Sequence, residues 1–309
     1  MERKLLLFVI IINAMISNAQ IQLSEAKISD QHSVKHINLI TKSQETMNIE
    51  AVSLWEKSFD ETVGSEGALS NLLSLNDELK SMDLSEVIKE YPAYPERTIL
   101  FVLNTVTEKI IPGVLIDPKH ILVGGSQYYD FVDSPEKLVF TSMDRYKLLD
   151  DLGYASATDI YLFGTDSTDY QNNMAMITLS RPLGAIIGWM GIGYNTEESY
   201  YNQNTFYVTA LEPNSEDELT FEKYIAKPDM TLSNGFYFKP YHDFIPGAPF
   251  YNANSSAHGI MSHWGAVSVD GNVTMYDGAT RITSEKYNTI ASIILDDRPD
   301  EADIMPLKL

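Results

Sequence analysis

From Tyr94-Pro95 onward the chain is a series of short apolar runs punctuated by Gly, Pro, Asn and Asp, as in Thr98 to Leu103, Val114 to Ile116 and His120 to Val123. Runs of this length, rich in β-branched residues and bounded by turn formers, predict strands. Further candidates are Asp159 to Phe163, Met174 to Leu179, Thr205 to Thr209, Gly235 to Phe238 and Ala257 to His263. Many short strands at roughly even spacing predict an all-β sandwich or barrels. Tyr287, Ile290, Ile293 and Ile294 recur at helical spacing after Ser284, which predicts a C-terminal helix capped by that serine.

Residues 20–93 have a different texture. They are polar, with few aromatics, and their apolar positions fall three and four apart, as in Leu69, Leu72, Leu73 and Leu75 or Leu84, Val87 and Ile88. The expectation is a partly helical or disordered segment, either a propeptide or a linker. Before it, Glu2-Arg3-Lys4, an apolar run from Leu5 to Ile16 and small residues at Ser17 and Ala19 read as a signal peptide over 1–19. The run falls short of the roughly 20 residues needed to span a bilayer. The expected location is therefore extracellular or in the lumen of the secretory pathway. An acidic tail is expected over 296–309, and no internal repeat is evident.

Composition narrows the chemistry. The 309 residues contain no cysteine, which excludes disulfides, thiol nucleophiles and thiolate metal sites together. The net charge of -21 opposes binding to nucleic acid or anionic membranes. Asn254-Ser255-Ser256 and Asn272-Val273-Thr274 are glycosylation sequons. No H-E-x-x-H or similar spacing marks a metal site, so no cofactor is expected.

Five segments carry a resemblance. Residues 113–126 read Gly-Val-Leu-Ile-Asp-Pro-Lys-His-Ile-Leu-Val-Gly-Gly-Ser, and residues 172–182 read Asn-Asn-Met-Ala-Met-Ile-Thr-Leu-Ser-Arg-Pro. Ile245-Pro246-Gly247-Ala248-Pro249 follows, then His258 to Gly265, then Gly278 to Ile282. In this order they resemble the trypsin-like serine proteases, with their T-A-A-H block, N-D-I-A-L-I strand, G-D-S-G-G-P loop, G-I-V-S-W-G strand and entry to the C-terminal helix. Gly188-Trp189-Met190-Gly191 resembles the cysteine-free branch that includes the glutamyl endopeptidases.

The resemblance implies a double β-barrel over 94–295, with barrels of about 94–185 and 186–283. It also implies a catalytic loss. Ser126, Asn173 and Pro246 stand where the family has its His, Asp and Ser. A hydroxyl at 126 is no base near neutral pH, and an amide at 173 carries no charge to hold an imidazolium. Proline at 246 offers neither a nucleophile nor the backbone N–H that the oxyanion hole needs. Phe244 takes the place of the glycine that supplies the hole's other donor. The expectation is a secreted pseudoprotease that binds a peptide, protease or inhibitor. The alternatives are an active endopeptidase with a shifted site, drawing on His120, His242, Asp243, His258 or His263, and an inert structural or storage protein.

Glutamyl endopeptidases place a His in the strand matched by Ser262-His263-Trp264-Gly265 to read an acidic substrate side chain. Here His263 separates residues that are adjacent in most trypsin-like members. His263, Trp264 and Gly265 are the candidate peptide-binding residues, by β-addition. A buried aromatic strand is the other reading of the same residues.

Overall fold

A computed structural model describes residues 31–50, 94–104, 110–125, 138–141, 143–144, 147–148, 154–164, 169–213, 219–239, 246–269 and 272–297. The signal-like stretch, the helical patterns at 69–88, Ser126, His242, Asp243, Phe244 and the tail after 297 lie outside them.

Strands β1 (Gln31–Asn38) and β2 (Ser43–Glu50) form a hairpin. The first sheet continues with β3 (Ile99–Asn104), β4 (Ile110–Leu115), β5 (His120–Gly124) and β6 (Leu138–Thr141). Two short strands, β7 (Met143–Asp144) and β8 (Lys147–Leu148), pair with each other, and β9 (Ala155–Leu162) and β10 (Met174–Leu179) complete the unit. Its order is β10-β5-β4-β3-β6-β9, and β9 pairs back to β10, so six antiparallel strands close a barrel.

Helix α1 (Gly184–Ile187) leads to β11 (Gly191–Ile192), α2 (Glu198–Gln203), β12 (Phe206–Pro213), β13 (Leu219–Ala226), β14 (Met230–Thr231) and β15 (Gly235–Phe238). Strands β16 (Pro249–Asn252), β17 (Ser256–Val269) and β18 (Asn272–Arg281) follow, then helix α3 (Ser284–Asp296). The second sheet runs β13-β12-β16-β17-β18-β15-β14. Leaving aside the β1–β2 hairpin and the two-residue β14, both sheets are wound alike. In each, the first strand lies between the second and the fourth, the fourth beside the fifth, the fifth beside the sixth, and the sixth beside the third. The sequence carries no visible repeat, yet the topology is repeated.

The period of two along each strand divides the side chains between cores. In β10, Ala175, Ile177 and Leu179 face an aliphatic interior with Leu100, Val102, Leu115, Ile121 and Val123. Met174 and Met176 face the opposite way, into a second cluster with Tyr251, Ile260, Tyr287, Ile290 and Ile294. That explains why β10 is apolar at every position but Thr178: it is buried on both faces. The second sheet encloses its own interior of Tyr201, Phe206, Phe236, Phe238, Phe250 and Met261.

The structure refines the sequence reading at two places. Within the stretch expected to be helical or disordered, residues 31–50 are a β-hairpin, and β1 extends the first sheet by pairing with β9. The alternation of Met47 and Ile49 with polar neighbours fits a strand. The cap of α3 is Thr283, one residue before the serine expected: its Oγ1 accepts from the Lys286 N–H at 3.3 Å, and its carbonyl accepts from the Tyr287 N–H. Among the described residues, no helix is long and apolar enough to cross a membrane.

Candidate functional site

Asn173 sits at the entry to β10, between a 3-10 turn (Tyr170–Asn172) and the strand. Its side chain is almost fully buried and its Nδ2 donates to the Ser262 carbonyl on β17 at 3.0 Å. Its own carbonyl accepts from the Gly125 N–H at 3.1 Å and from Thr280 Oγ1 at 3.2 Å. A Cβ on Gly125 would stand 2.7 Å from the Met174 nitrogen, so the end of β5 passes too close to β10 for any side chain. Ser126 follows Gly125 directly in the chain.

Pro246 approaches the same strand end. A Cβ on Gly124 would lie 3.4 Å from Pro246 Cβ and 3.3 Å from the Gly247 nitrogen. Gly247 has φ +117, and a Cβ there would fall 2.0 Å from the Pro112 carbonyl oxygen. Only glycine fits both the dihedral and the space. The Gly247 N–H donates to the Met261 carbonyl at 2.6 Å, and the Met261 N–H to the Ala248 carbonyl at 2.8 Å. The loop is thereby pinned between β4 and β17. Asn173 and Pro246 thus meet on either side of Gly124-Gly125, at the seam between the two sheets.

The strand opposite them is irregular. Met261 pairs with Ala279 and His263 with Gly278 on β18, leaving Ser262 as an extra residue. This bulge turns the Ser262 hydroxyl inward. Its Oγ lies 2.8 Å from Thr280 Oγ1 and 2.8 Å from His263 Nδ1, and accepts from the Thr280 N–H at 3.2 Å. His263 Nε2 is 3.4 Å from the Tyr237 hydroxyl, and its ring rests 5.4 Å from that of Tyr170. The ring occupies the space a Cβ on Gly278 would take, with Nε2 at 2.4 Å from that point. Burial pushes the His263 imidazole down to about 4 and the Tyr237 phenol up to about 12. His263 is therefore neutral at pH 7, with a polar neighbour at each nitrogen. Trp264 next to it is 54% exposed, and Gly265 is buried.

The other candidate histidines within the described residues lie elsewhere. His258 is buried among Tyr200, Tyr201 and Phe206, with Asn252 Nδ2 at 3.3 Å; burial, and then the nearby Arg281 charge, push it down to about 3. His120 begins β5, four residues from the seam, between Asp117 at 2.9 Å and Asp297 at 3.3 Å. Burial alone would lower its pKa, but the contacts and charges of the two aspartates outweigh that and lift it to about 9. No cluster of three or more potential metal ligands occurs among the described residues.

The sequence pointed to Asn173, Pro246 and His263 but not to their connectors Ser262, Thr280, Tyr237 and Tyr170. The inserted histidine between Ser262 and Trp264 was the one signal of the bulge.

No protein-family model matches the sequence, and neither does any curated protein. Among solved structures the chain is similar to a Glu endopeptidase determined in complex with MPD, with a TM-score of 0.52 and 16% identity, over 65% of this chain and 92% of that one. Taken with the repeated winding and the C-terminal helix, this likeness gives the chain the trypsin-like double β-barrel fold.

Proposed function

We propose that this protein is a secreted, non-catalytic homologue of the trypsin-like serine proteases that binds an extended peptide or protein segment along β17. The observation that carries the reading is that Pro246 and the amide of Asn173 both stand beside Gly124-Gly125 at the seam. Proline withholds both the nucleophile and one N–H of an oxyanion hole. The Asn173 amide donates to a carbonyl, a bond that an ionised carboxylate cannot make. Ser262 and His263 form a hydroxyl–imidazole pair in the same network, but Ser262 is 2% exposed and its hydroxyl is shared with Thr280. No substrate carbonyl reaches it.

Beyond Met261 the edge of β17 away from β18 has no strand partner among the described residues, and Trp264 is exposed beside it. That edge suits β-addition, with an aromatic side chain to cover the added strand. The neutral His263 does not suit the reading of an acidic side chain.

Purified protein should remain unlabelled by a fluorophosphonate probe and leave casein and a peptide library uncut. It should bind members of that library with a shift in tryptophan emission that Trp264→Ala removes. Labelling or cleavage that tracks the protein through purification refutes the non-catalytic half, and its loss in a Ser262→Ala variant would identify Ser262 as the nucleophile. Absence of binding across the library refutes the other.

A further inference from the structure

Among the described residues, the hairpin β1–β2 contacts the rest of the molecule through residues 34–47. Lys35 to Asn38 pair with Asp159 to Leu162. The Leu39 N–H donates to the Thr158 carbonyl at 2.8 Å, where β9 is bulged: Asp159 pairs with Thr178 and Ala157 with Leu179, leaving Thr158 over. The hairpin therefore takes up a carbonyl that the barrel's own ladder leaves out.

Side chains complete the seat. Asp159 is held twice, by His36 Nε2 at 3.0 Å and by Asn38 Nδ2 at 2.7 Å. The His36 ring stacks on Tyr161 with centroids 4.7 Å apart, and its Nδ1 meets Glu45 of β2 at 3.0 Å. Ile37 is buried in the first barrel's interior cluster, and Val34, at 0% exposure, joins the cluster of Tyr161, Ile293 and Ile294, with Met47 packed against it. One short hairpin thus contributes to two of the three cores and covers an edge of β9 that β6 reaches only at Ala155 and Ser156.

We infer that residues 31–50 are a strap that stays seated when the chain between it and β3 is cut, so that a processed form of this protein is a two-chain molecule rather than a barrel pair freed of its N-terminal segment. The partner that the β9 edge and the face of α3 accept is a two-stranded antiparallel hairpin with one apolar residue aimed into each core and a polar clamp on Asp159. This inference is independent of the proposed function and survives its failure.

The test inserts a recognition sequence for a site-specific protease after residue 70 of the full chain. The protein is cut to completion and passed through size exclusion under native conditions, with mass spectrometry of each fraction. The expected result is co-elution of the two pieces in equal amounts, with the circular dichroism of the uncut protein. In cut protein carrying Val34→Asp, retention of the N-terminal piece falls by about tenfold or more, because an unpaired carboxylate is placed at a fully buried position. The milder Asn38→Ala, which leaves the apolar anchors in place, weakens retention less. Release of the piece from a folded remainder, or loss of the fold on cutting, overturns the inference. Retention that neither substitution weakens overturns the seat assigned to Val34 and Asn38.

Discussion

The two barrels share one winding and are filled with different chemistry. Among the residues whose burial is described, the first is packed by Leu, Ile, Val and Ala, with no aromatic ring in its buried cluster. The second is packed by Phe and Tyr rings in mutual contact, with Phe206 stacked on Phe250 at 4.7 Å and Phe236 within 4.8 Å of Phe250. Their buried histidines differ in the same way. His120 is held between two carboxylates and is charged, while His258 and His263 are desolvated and neutral. Strand order is thus indifferent to which side chains fill the interior, provided the volume is met. The seam between the barrels is less permissive, since it depends on positions where a single atom has no room.

The largest effect should come from that seam. Gly247→Ala forces a Cβ against the Pro112 carbonyl at a left-handed dihedral, and the cost should be on the order of 4 kcal/mol or loss of soluble protein. Urea denaturation measures it. A cost below 1 kcal/mol would show that the barrels tolerate displacement at their junction.

Next come matched substitutions in the two interiors. Phe206→Leu removes apolar volume and a stacked ring pair, for about 2–3 kcal/mol, against about 1 kcal/mol for Ile177→Val in the first barrel. Equal losses, with three carbons removed in one case and one in the other, would mean that the second interior closes over the space the ring leaves.

Asn173→Asp tests the seam's polarity. A carboxylate facing the Ser262 carbonyl loses the donated bond, and the deficit at pH 7 should be about 2 kcal/mol. The new carboxyl has a raised folded-state pKa, so the deficit grows as pH rises through and above the ordinary Asp value near 4 and shrinks towards pH 3, where the protonated acid can donate. A deficit that is the same at pH 3 and pH 7 would exclude charge as its cause.

The smallest effects are the pH slopes, and they carry opposite signs. His120 has a raised pKa, so its contribution is complete below the ordinary value near 6.5 and is lost as pH rises through about 9. His120→Gln should narrow its gap to the parent between pH 7 and pH 10. His258 has a depressed pKa, so its contribution is present above 6.5 and is lost as pH falls towards about 3. His258→Gln should narrow its gap between pH 6.5 and pH 4. Parallel curves in either window would contradict the assigned protonation states.

What the sequence disclosed follows from which forces are local. Met174–Leu179 and Gly235–Phe238 have the limits that their apolar runs predict, because burial of a whole strand leaves its mark residue by residue. The hairpin at 31–50 was obscured because Val34, Ile37 and Met47 are few and stand among polar residues; its stability comes from β9, more than a hundred positions away. Asn173 and Pro246 stood out by residue type. The bond from Asn173 to Ser262 did not, because it depends on how β17 aligns with β18, which no single strand encodes.

The extra residue in β17 also acts as a parity switch. Side chains alternate along a strand, so one unpaired residue exchanges the inward and outward sets for everything beyond it. Met261 and Ser262 are both buried and Trp264 is exposed. Deleting Ser262 would make Met261–Ala279 and His263–Gly278 successive rungs of a regular ladder, so the outer half of the hairpin would keep its register on β18 while the hydroxyl that links His263 to Thr280 is lost.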